Sequence, residues 1–191
     1  MSDWQLAFIE TLAETAPLHR FLEVGVYKGV TTTLLSEVGP VVAADTFEGN
    51  PEFGVAPNPY NEADVRDRRD GFLDSIHRFG KRENVTVLTG KSQDVLPLLA
   101  NDRFGLILID ANHEFLHVLN DIHGAWPLLV PEGVLALDDF SSAPVGGKST
   151  DDVSRAWSTF VSDRLGGRSP ALLTADSVSQ PPKLVAVRKP A

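Results

Sequence analysis

Three aspartates stand at the ends of two apolar segments that have the composition of buried β-strands. Asp110 follows residues 106–109, and Asp138 and Asp139 follow residues 134–137. The ends of neighbouring parallel strands lie about 5 Å apart, so these carboxylates would meet if the two strands are neighbours. Carboxylates that close repel one another unless a proton or a cation intervenes, and oxygen ligands suit Mg²⁺ or Ca²⁺ better than zinc. The pattern predicts a divalent-cation site, with capping of the next loop by Asp138 or Asp139 as the alternative.

A histidine lies three residues beyond the first of these carboxylates. His113 is one of five histidines in the chain and the one that stands inside such a motif. A neutral imidazole can accept a proton near pH 7, so the pair Asp110 and His113 predicts catalysis with His113 as the general base. A loop histidine without a chemical role is the alternative.

The first apolar segment ends in a turn that contains glycine. Its pattern is Glu-x-Gly-x-x-x-Gly, formed by Glu23, Gly25 and Gly29. Glycine lets the backbone come close to a ligand, so the turn predicts a binding loop, and a tight turn needed for packing is the alternative. The turn lacks the Gly-x-Gly-x-x-Gly register of dinucleotide sites, which counts against a nicotinamide cofactor.

Polar residues also end the second and third apolar segments. Asp45 lies about 20 residues beyond Gly25, where an acidic side chain can accept both hydroxyls of a ribose. Capping of a helix is the alternative for Asp45. Ser92 and Gln93 follow Gly90 and could hydrogen-bond an adenine edge, although the same residues would also suit a simple capping turn.

The composition of the chain excludes several kinds of partner and of chemical site. The 191 residues include 17 Lys and Arg against 26 Asp and Glu, a formal charge of −9, which argues against nucleic acid as a partner. The absence of cysteine excludes disulfides, thiolate metal sites and a cysteine nucleophile. The apolar runs fall far short of the roughly 18 residues of a membrane span, and Asp3 and Glu10 stand where a secretory signal would be basic or apolar. We therefore expect a cytoplasmic protein with neither membrane nor nucleic-acid partners.

Short apolar segments alternate with segments of helical periodicity, which is typical of a parallel sheet covered by helices. The strands of that sheet are predicted at residues 21–26, 41–45, 85–89, 104–110 and 134–138. Helices are predicted at residues 4–15, 31–38, 62–79, 94–100, 115–126 and from 151 or 152 to 165. The last two predicted strands are residues 171–175 and 184–187. The segment between them is too short for a helical crossover, so we expect these strands to form an antiparallel hairpin. We expect one α/β domain with a doubly wound, mostly parallel sheet and helices on both faces.

Two segments are predicted to lie near the site or a partner. Residues 46–61 contain three prolines and interrupt a connection that normally needs only a few residues, so we expect a lid over the site. Residues 1–17 contain an amphipathic helix that would cover the sheet or a partner subunit. A homo-oligomer is therefore possible.

Together these motifs resemble those of the class I S-adenosylmethionine-dependent methyltransferases. Within that class the chain is similar to the metal-dependent O-methyltransferases, which include catechol O-methyltransferase, from about residue 21 to residue 140. The Glu-x-Gly-x-x-x-Gly turn marks the broad class. The Gly-x-Ser-Gln-Asp run that begins at Gly90, together with the spacing between Asp110 and Asp138, marks the subgroup.

The resemblance implies a Rossmann-like methyltransferase fold and a role for each matched residue, and we expect the single domain to extend over residues 1–191. Residues matched to the S-adenosylmethionine site are Glu23, Gly25, Tyr27, Thr31, Asp45, Gly90, Ser92, Gln93 and Asp110. Residues matched to a Mg²⁺ site are Asp110, Asp138 and Asp139. The first four of the cofactor set would contact the methionine part, Asp45 would bind the ribose, and the residues from Gly90 would line the adenine.

The chain departs from the catechol-type pattern at three places. His113 stands where those enzymes carry the lysine that acts as general base, a feature shared with some sugar and macrolide O-methyltransferases. Asp139 replaces an asparagine, and residues 46–61 are inserted. The resemblance implies Mg²⁺-dependent O-methylation of a small molecule, such as a sugar, a phenol or a polyketide. The alternatives are a non-catalytic S-adenosylmethionine-binding protein and an NAD-dependent oxidoreductase.

Overall fold

The computed structural model describes residues 1–48, 62–140, 152–174 and 184–191, with the backbone alone for residues 62–65. The strands in this part of the chain form one seven-stranded sheet. Their bounds are β1 Phe21–Val24, β2 Val41–Asp45, β3 Val85–Thr89, β4 Phe104–Ile109, β5 Leu129–Leu137, β6 Leu172–Thr174 and β7 Val185–Arg188. Their order is β3-β2-β1-β4-β5-β7-β6, with β1 to β5 parallel and β7 antiparallel to β5 and β6.

Six α-helices in the described residues connect or flank these strands. Their bounds are α1 Asp3–Glu14, α2 Val30–Val38, α3 Glu62–Phe79, α4 Ser92–Val95, α5 Phe115–Ala125 and α6 Asp152–Arg164. Short 3-10 helices follow at Arg82–Asn84, Leu96–Leu99 and Trp126–Leu128. None of the helices described here is both long and apolar enough to cross a membrane.

The core consists of two apolar layers, one on each face of the sheet. Every residue of β1 and β4 is buried, because the side chains alternate between faces and helices cover both. On one face, α1 and α2 pack against the strands through Ile9, Leu12 and Leu35. On the other face, α5 and α6 do so through side chains such as Ile122 and Phe160. Each such buried side chain contributes about 1.5–3 kcal/mol of hydrophobic stabilisation.

The strand order creates a crevice at one point of the sheet edge. The chain moves outward from β1 to β2 and β3, and then crosses back to place β4 on the other side of β1. Helices therefore leave β1 and β4 towards opposite faces, and the carboxyl ends of these two strands are left open between them. Ligands of doubly wound sheets bind at this position.

The predicted fold class, including the antiparallel terminal pair, is confirmed, with local differences. β5 begins at Leu129, five residues before the predicted start. The prediction missed these residues because Pro131 and Gly133 are unusual inside a strand, and they occur here where the pairing with β4 shifts register. The predicted helix at 94–100 is α4 followed by a 3-10 helix, since Pro97 has no N–H to continue an α-helix. Beyond Glu48, the predicted lid lies outside the described residues.

Candidate active site

Four predicted site residues lie in one row at the carboxyl edge of the sheet. Val24 pairs with Ala44 on one side and with Ile109 on the other, and Ile109 pairs with Leu137. The residues that follow these paired positions therefore also lie side by side, in the order Asp45, Gly25, Asp110 and Asp138. At about 4.8 Å between strands, the row is roughly 15 Å long. The sequence prediction that Asp110 and Asp138 end neighbouring strands is confirmed.

The turn after β1 is fixed by backbone packing. Gly25 has a φ of 86°, and a Cβ atom there would lie 2.2 Å from the carbonyl oxygen of Asp110. Glycine is required because the Asp110 backbone comes so close, so the packing role given as the alternative is present at this residue. The result is that the turn after β1 lies directly against the start of the loop after β4.

Asp45 binds the backbone of two loops through its carboxylate. Oδ2 accepts hydrogen bonds from the N–H groups of Val26 at 2.7 Å and Tyr27 at 3.1 Å, and Oδ1 accepts from the N–H of Phe47 at 2.7 Å. Tyr27 and Phe47 both have left-handed backbone conformations, with φ values of 45° and 57°. Asp45 therefore stabilises a loop shape that non-glycine residues rarely adopt. Oδ2 already accepts two hydrogen bonds and Oδ1 accepts one, so Oδ1 keeps a lone pair that a ribose hydroxyl could use.

Glu23 lies beneath this loop rather than at its surface. Its side chain is 2% exposed, and it accepts a hydrogen bond from the hydroxyl of Thr32 in the first turn of α2. Burial, with a smaller contribution from the charges of Asp110 and Asp45, raises the pKa of Glu23 well above its ordinary value. The carboxyl group is thus held towards its neutral form, and its predicted contact with a cofactor stays a prediction.

Two other residues matched to the methionine part of the cofactor differ in exposure. Tyr27 is 71% exposed at the tip of the turn, where the Lys28 ammonium lies 5.4 Å from the centre of its ring. Thr31 is buried in the first turn of α2, and its hydroxyl lies 3.4 Å from the sulfur of Met1. The first residues of the chain therefore also reach this edge of the sheet.

The predicted acidic cluster forms at the ends of β4 and β5. The N–H of Asp138 donates to the carbonyl of Ile109, so the strand pairing continues up to the cluster. Asp138 is 9% exposed, and burial together with the charges of Asp110 and Asp139 raises its pKa well above the ordinary value. Asp139 has a φ of 51°, a left-handed conformation that aspartate tolerates better than most residues. The repulsion that the sequence predicted is therefore present.

His113 bridges two members of this cluster. Its Nδ1 lies 3.2 Å from Asp139 Oδ2, and its Nε2 lies 3.5 Å from Asp110 Oδ1. Nε2 is buried and forms no hydrogen bond within the described part of the chain. Burial lowers the pKa of His113, but the three surrounding carboxylates raise it by more, so the net pKa lies above its ordinary value. The sequence prediction that His113 faces the same cleft as Asp110 agrees with this geometry.

The donor types in this cluster suit a hard divalent cation, because they are carboxylate oxygens. Their arrangement is less suitable. Among the described residues, no group of three or more His, Asp and Glu side chains is placed to hold a metal ion. The ring of His113 contacts two of the three carboxylates that would have to converge. The predicted Mg²⁺ site therefore rests on the residue types and not on a formed coordination geometry.

The residues predicted to line an adenine lie next to a buried acid that the sequence analysis missed. Gly90 follows β3 and Ser92 begins α4. Gln93 is exposed and lines a groove of about 520 Å³ between the 3-10 helix Leu96–Leu99 and α5. Asp121 of α5 is 2% exposed and hydrogen-bonds to Ser92. Burial raises the pKa of Asp121 to about 6, although Ser92 and His117 act in the opposite direction. An aspartate on the apolar face of a predicted helix was the available signal.

Gln5 is a second residue that the sequence analysis missed. It lies in the first turn of α1, is 5% exposed, and donates from Nε2 to Oδ1 of Asp138 at 3.0 Å. The sequence signal at this position is a capping box with Ser2, which marks a helix start. Nothing in the sequence joins positions 5 and 138, since this contact depends on how α1 packs on the sheet.

Comparisons with known proteins bear on the family and the fold of this chain. A family model described as a methyltransferase domain matches residues 22–140. No curated protein matches the chain by sequence. Among solved structures, the chain is similar to cofactor-bound Rv0187 from MTB, with 20% identity, a TM-score of 0.72, and coverage of 100% of this chain and 82% of that chain.

Two further solved structures show the same fold at low identity. One is the O-methyltransferase TomG from Streptomyces achromogenes in complex with SAM, with 18% identity, a TM-score of 0.68, and coverage of 99% of this chain and 81% of that chain. The other is the O-methyltransferase from Bacillus cereus in complex with SAH, with 20% identity, a TM-score of 0.69, and coverage of 99% and 82%.

The family match covers more than half of the chain and contains the whole row of strand ends. It begins within β1, includes the Gly25 turn and Asp45, and ends just after Asp139. The resemblance that the motifs predicted is confirmed, and the chain belongs to the methyltransferase domain family.

Proposed function

We propose that this chain transfers the methyl group of S-adenosylmethionine to a hydroxyl oxygen of a small molecule. The observation that carries the proposal is the row of strand ends, in which Asp45 and Gly25 lie beside Asp110 and Asp138. One end of the row suits a nucleoside, and the other end holds His113 among carboxylates. A site that places a cofactor next to a proton acceptor is what methylation of a hydroxyl requires.

The cofactor half of the site would be formed by the turn after β1 and by α4. Asp45 would bind a ribose hydroxyl with the lone pair that its backbone contacts leave on Oδ1. Ser92 and Gln93 would lie along the adenine, and Tyr27 and Thr31 near the methionine part. S-adenosylmethionine supplies a methyl group on a positively charged sulfur. The acidic residues around the crevice favour a cation of this kind.

His113 would accept the proton of the hydroxyl group. In the tautomer that carries its proton on Nδ1, 3.2 Å from Asp139 Oδ2, the lone pair is on Nε2, which forms no hydrogen bond within the described part of the chain. Once Nε2 has accepted a proton, the imidazolium lies between Asp110 and Asp139, and both carboxylates stabilise its charge. This is the role that an aspartate has beside a catalytic histidine in other enzymes. General-base catalysis of this type contributes about 10²–10⁴-fold to the rate.

The proposal also includes a divalent cation at the acidic cluster. Asp110, Asp138 and Asp139 would hold it. Burial, and then the charges of Asp110 and Asp139, raise the pKa of Asp138, and a bound cation would favour the ionised form of this carboxyl group. When bound, such an ion would polarise the acceptor hydroxyl and lower its pKa. Chelation with EDTA should abolish turnover, and Mg²⁺ should restore it. Full activity in EDTA would remove the metal from the proposal and leave methyl transfer intact.

The experiment that tests the function has two stages. Calorimetry with S-adenosylmethionine measures cofactor binding, and formation of S-adenosylhomocysteine is then measured with catechol, a simple phenol and a nucleotide-linked sugar as acceptors. We expect binding and methylation of at least one acceptor. Binding without transfer to any acceptor would favour a non-catalytic S-adenosylmethionine-binding protein. Binding of NAD instead would favour an oxidoreductase.

A histidine pair provides the matched control for the mechanism. His113→Ala should lower kcat by about 10²–10⁴-fold while the dissociation constant of S-adenosylmethionine stays within about twofold. His117→Ala removes an exposed histidine from the first turn of α5 and should leave both quantities unchanged. If His113→Ala retains kcat, the base assignment is wrong.

A further inference from the structure

The N-terminal helix contributes a polar side chain to the acidic cluster. Gln5 is almost completely buried, and its Nε2 donates to Oδ1 of Asp138 at 3.0 Å across the interior of the domain. α1 cannot easily move away from this position, because Ile9 and Leu12 pack in the core beneath the sheet. The contact is therefore a fixed part of the site.

The capping box of α1 determines which end of the Gln5 amide faces Asp138. Oε1 accepts hydrogen bonds from the backbone N–H of Ser2 at 2.8 Å and from its hydroxyl at 3.0 Å. A backbone N–H can only donate, so Oε1 must point to Ser2 and the amino group must point to Asp138. Gln5 is thereby held as a donor in one orientation.

We propose that Gln5 is a positioning residue of the active site, which fixes the orientation of the Asp138 carboxylate within the acidic cluster. The inference rests on the proposed function. Gln5 donates to Oδ1 of Asp138, and the backbone N–H of Asp139 also hydrogen-bonds to this carboxylate, so two donors set its orientation. A donor to a buried carboxylate is worth more than one at the surface, and it offsets part of the repulsion within the cluster. The N-terminal helix is then a component of the site and not only a cover for the sheet.

Three single variants separate this role from the capping of α1. Gln5→Met keeps the length of the side chain and removes both hydrogen-bonding functions. Gln5→Glu keeps the acceptor that the capping box uses, but it places a second carboxylate against Asp138. Ser2→Ala removes the hydroxyl from the cap and leaves the Ser2 N–H and the Gln5 to Asp138 contact in place.

Steady-state kinetics with the acceptor that the wild-type chain methylates, and calorimetry with S-adenosylmethionine, are the first measurements. Gln5→Met should lower kcat roughly 10- to 100-fold, as loss of a partner of a site carboxylate does elsewhere, and Gln5→Glu should lower it at least as much. The dissociation constant of S-adenosylmethionine should stay within about twofold in all variants, and Ser2→Ala should keep the wild-type kcat. Equal kcat in Gln5→Met and wild type, or an equal loss in Ser2→Ala, would overturn the inference.

A second measurement does not depend on activity. Part of the change in unfolding midpoint caused by Gln5→Met comes from the lost capping box and should persist, whereas the part that comes from the lost contact with Asp138 should vanish when Asp138→Ala is already present. Additive effects would overturn the inference. A wild-type chain that does not bind S-adenosylmethionine would refute the proposed function, whereas an active wild type beside an equally active Gln5→Met would refute only the role of Gln5.

Discussion

The buried Asp121 should make the stability of this domain depend on pH in a way that one substitution removes. Burial raises its pKa from 3.8 to about 6. Between these values the folded chain holds a proton that the unfolded chain has lost, so stability falls as the pH rises, and the loss is complete above about pH 6. At about 1.4 kcal/mol for each pH unit, the cost reaches about 3 kcal/mol at neutral pH.

Asp121→Asn keeps the size of the side chain and cannot ionise. At pH 4 it should unfold with nearly the same free energy as wild type, because Asp121 is then neutral in the folded chain. At pH 7.5 it should be more stable by up to about 3 kcal/mol, which is a rise of roughly 6–12 °C in Tm for a domain of this size. Urea unfolding followed by circular dichroism at several pH values measures the difference.

Asp94→Asn is the matched control, because Asp94 is an exposed carboxylate on the neighbouring helix α4. It should change the stability by no more than about 0.5 kcal/mol at either pH. A difference between Asp121→Asn and wild type that does not change with pH would refute the reasoning. A loss of stability at pH 7.5 would also refute it, since that result means that the ionised carboxylate stabilises the fold.

Three further predictions concern the turn after β1 and its supports. Asp45→Ala should weaken S-adenosylmethionine binding by about 10- to 100-fold in calorimetry, because hydrogen bonds to a charged group are lost. Replacement of the nearby exposed Glu48 with alanine should leave the affinity unchanged. Equal affinity in the two variants would contradict the ribose assignment. Gly25→Ala should lower the free energy of unfolding in urea by at least about 2 kcal/mol, because the φ of Gly25 is 86° and a Cβ atom there would overlap Asp110. Gly71→Ala is the control, since Gly71 lies in an open position of α3, and it should be neutral or stabilising. Glu23→Gln should raise the Tm at pH 8 and leave it nearly unchanged in mild acid, because the buried carboxyl group is ionised in the folded chain only at a cost; a lower Tm at pH 8 would mean that the charged form is the stabilising one.

The sheet could be predicted from the sequence because its central strands are continuous apolar runs. β4 is buried at every residue, so its sequence carries no polar interruption, and the helices on either side show clear periodicity. The start of β5 was missed because Pro131 and Gly133 usually end strands. These residues are tolerated there at an irregular point in the pairing with β4.

The candidate site could be predicted to the extent that it consists of strand ends. Asp45, Asp110 and Asp138 each follow an apolar run, and parallel strands bring such positions to one edge. Gln5 and Asp121 could not be found in this way, because each lies within a helix whose packing decides what the side chain meets. Their polar contacts are long-range or between helices, and the local sequence is consistent with several partners.

The left-handed residues around the crevice indicate what Asp45 contributes before any cofactor binds. Four described residues other than glycine have positive φ values, and three of them, Tyr27, Phe47 and Asp139, lie at strand ends around the crevice. Such conformations cost of order 1–3 kcal/mol each and persist where surrounding contacts enforce them. The Asp45 carboxylate accepts from the N–H groups of Tyr27 and Phe47, so it enforces two of the three. The same carboxylate that would bind the ribose thus shapes the loop around it, and cofactor binding need not supply the energy of ordering that loop.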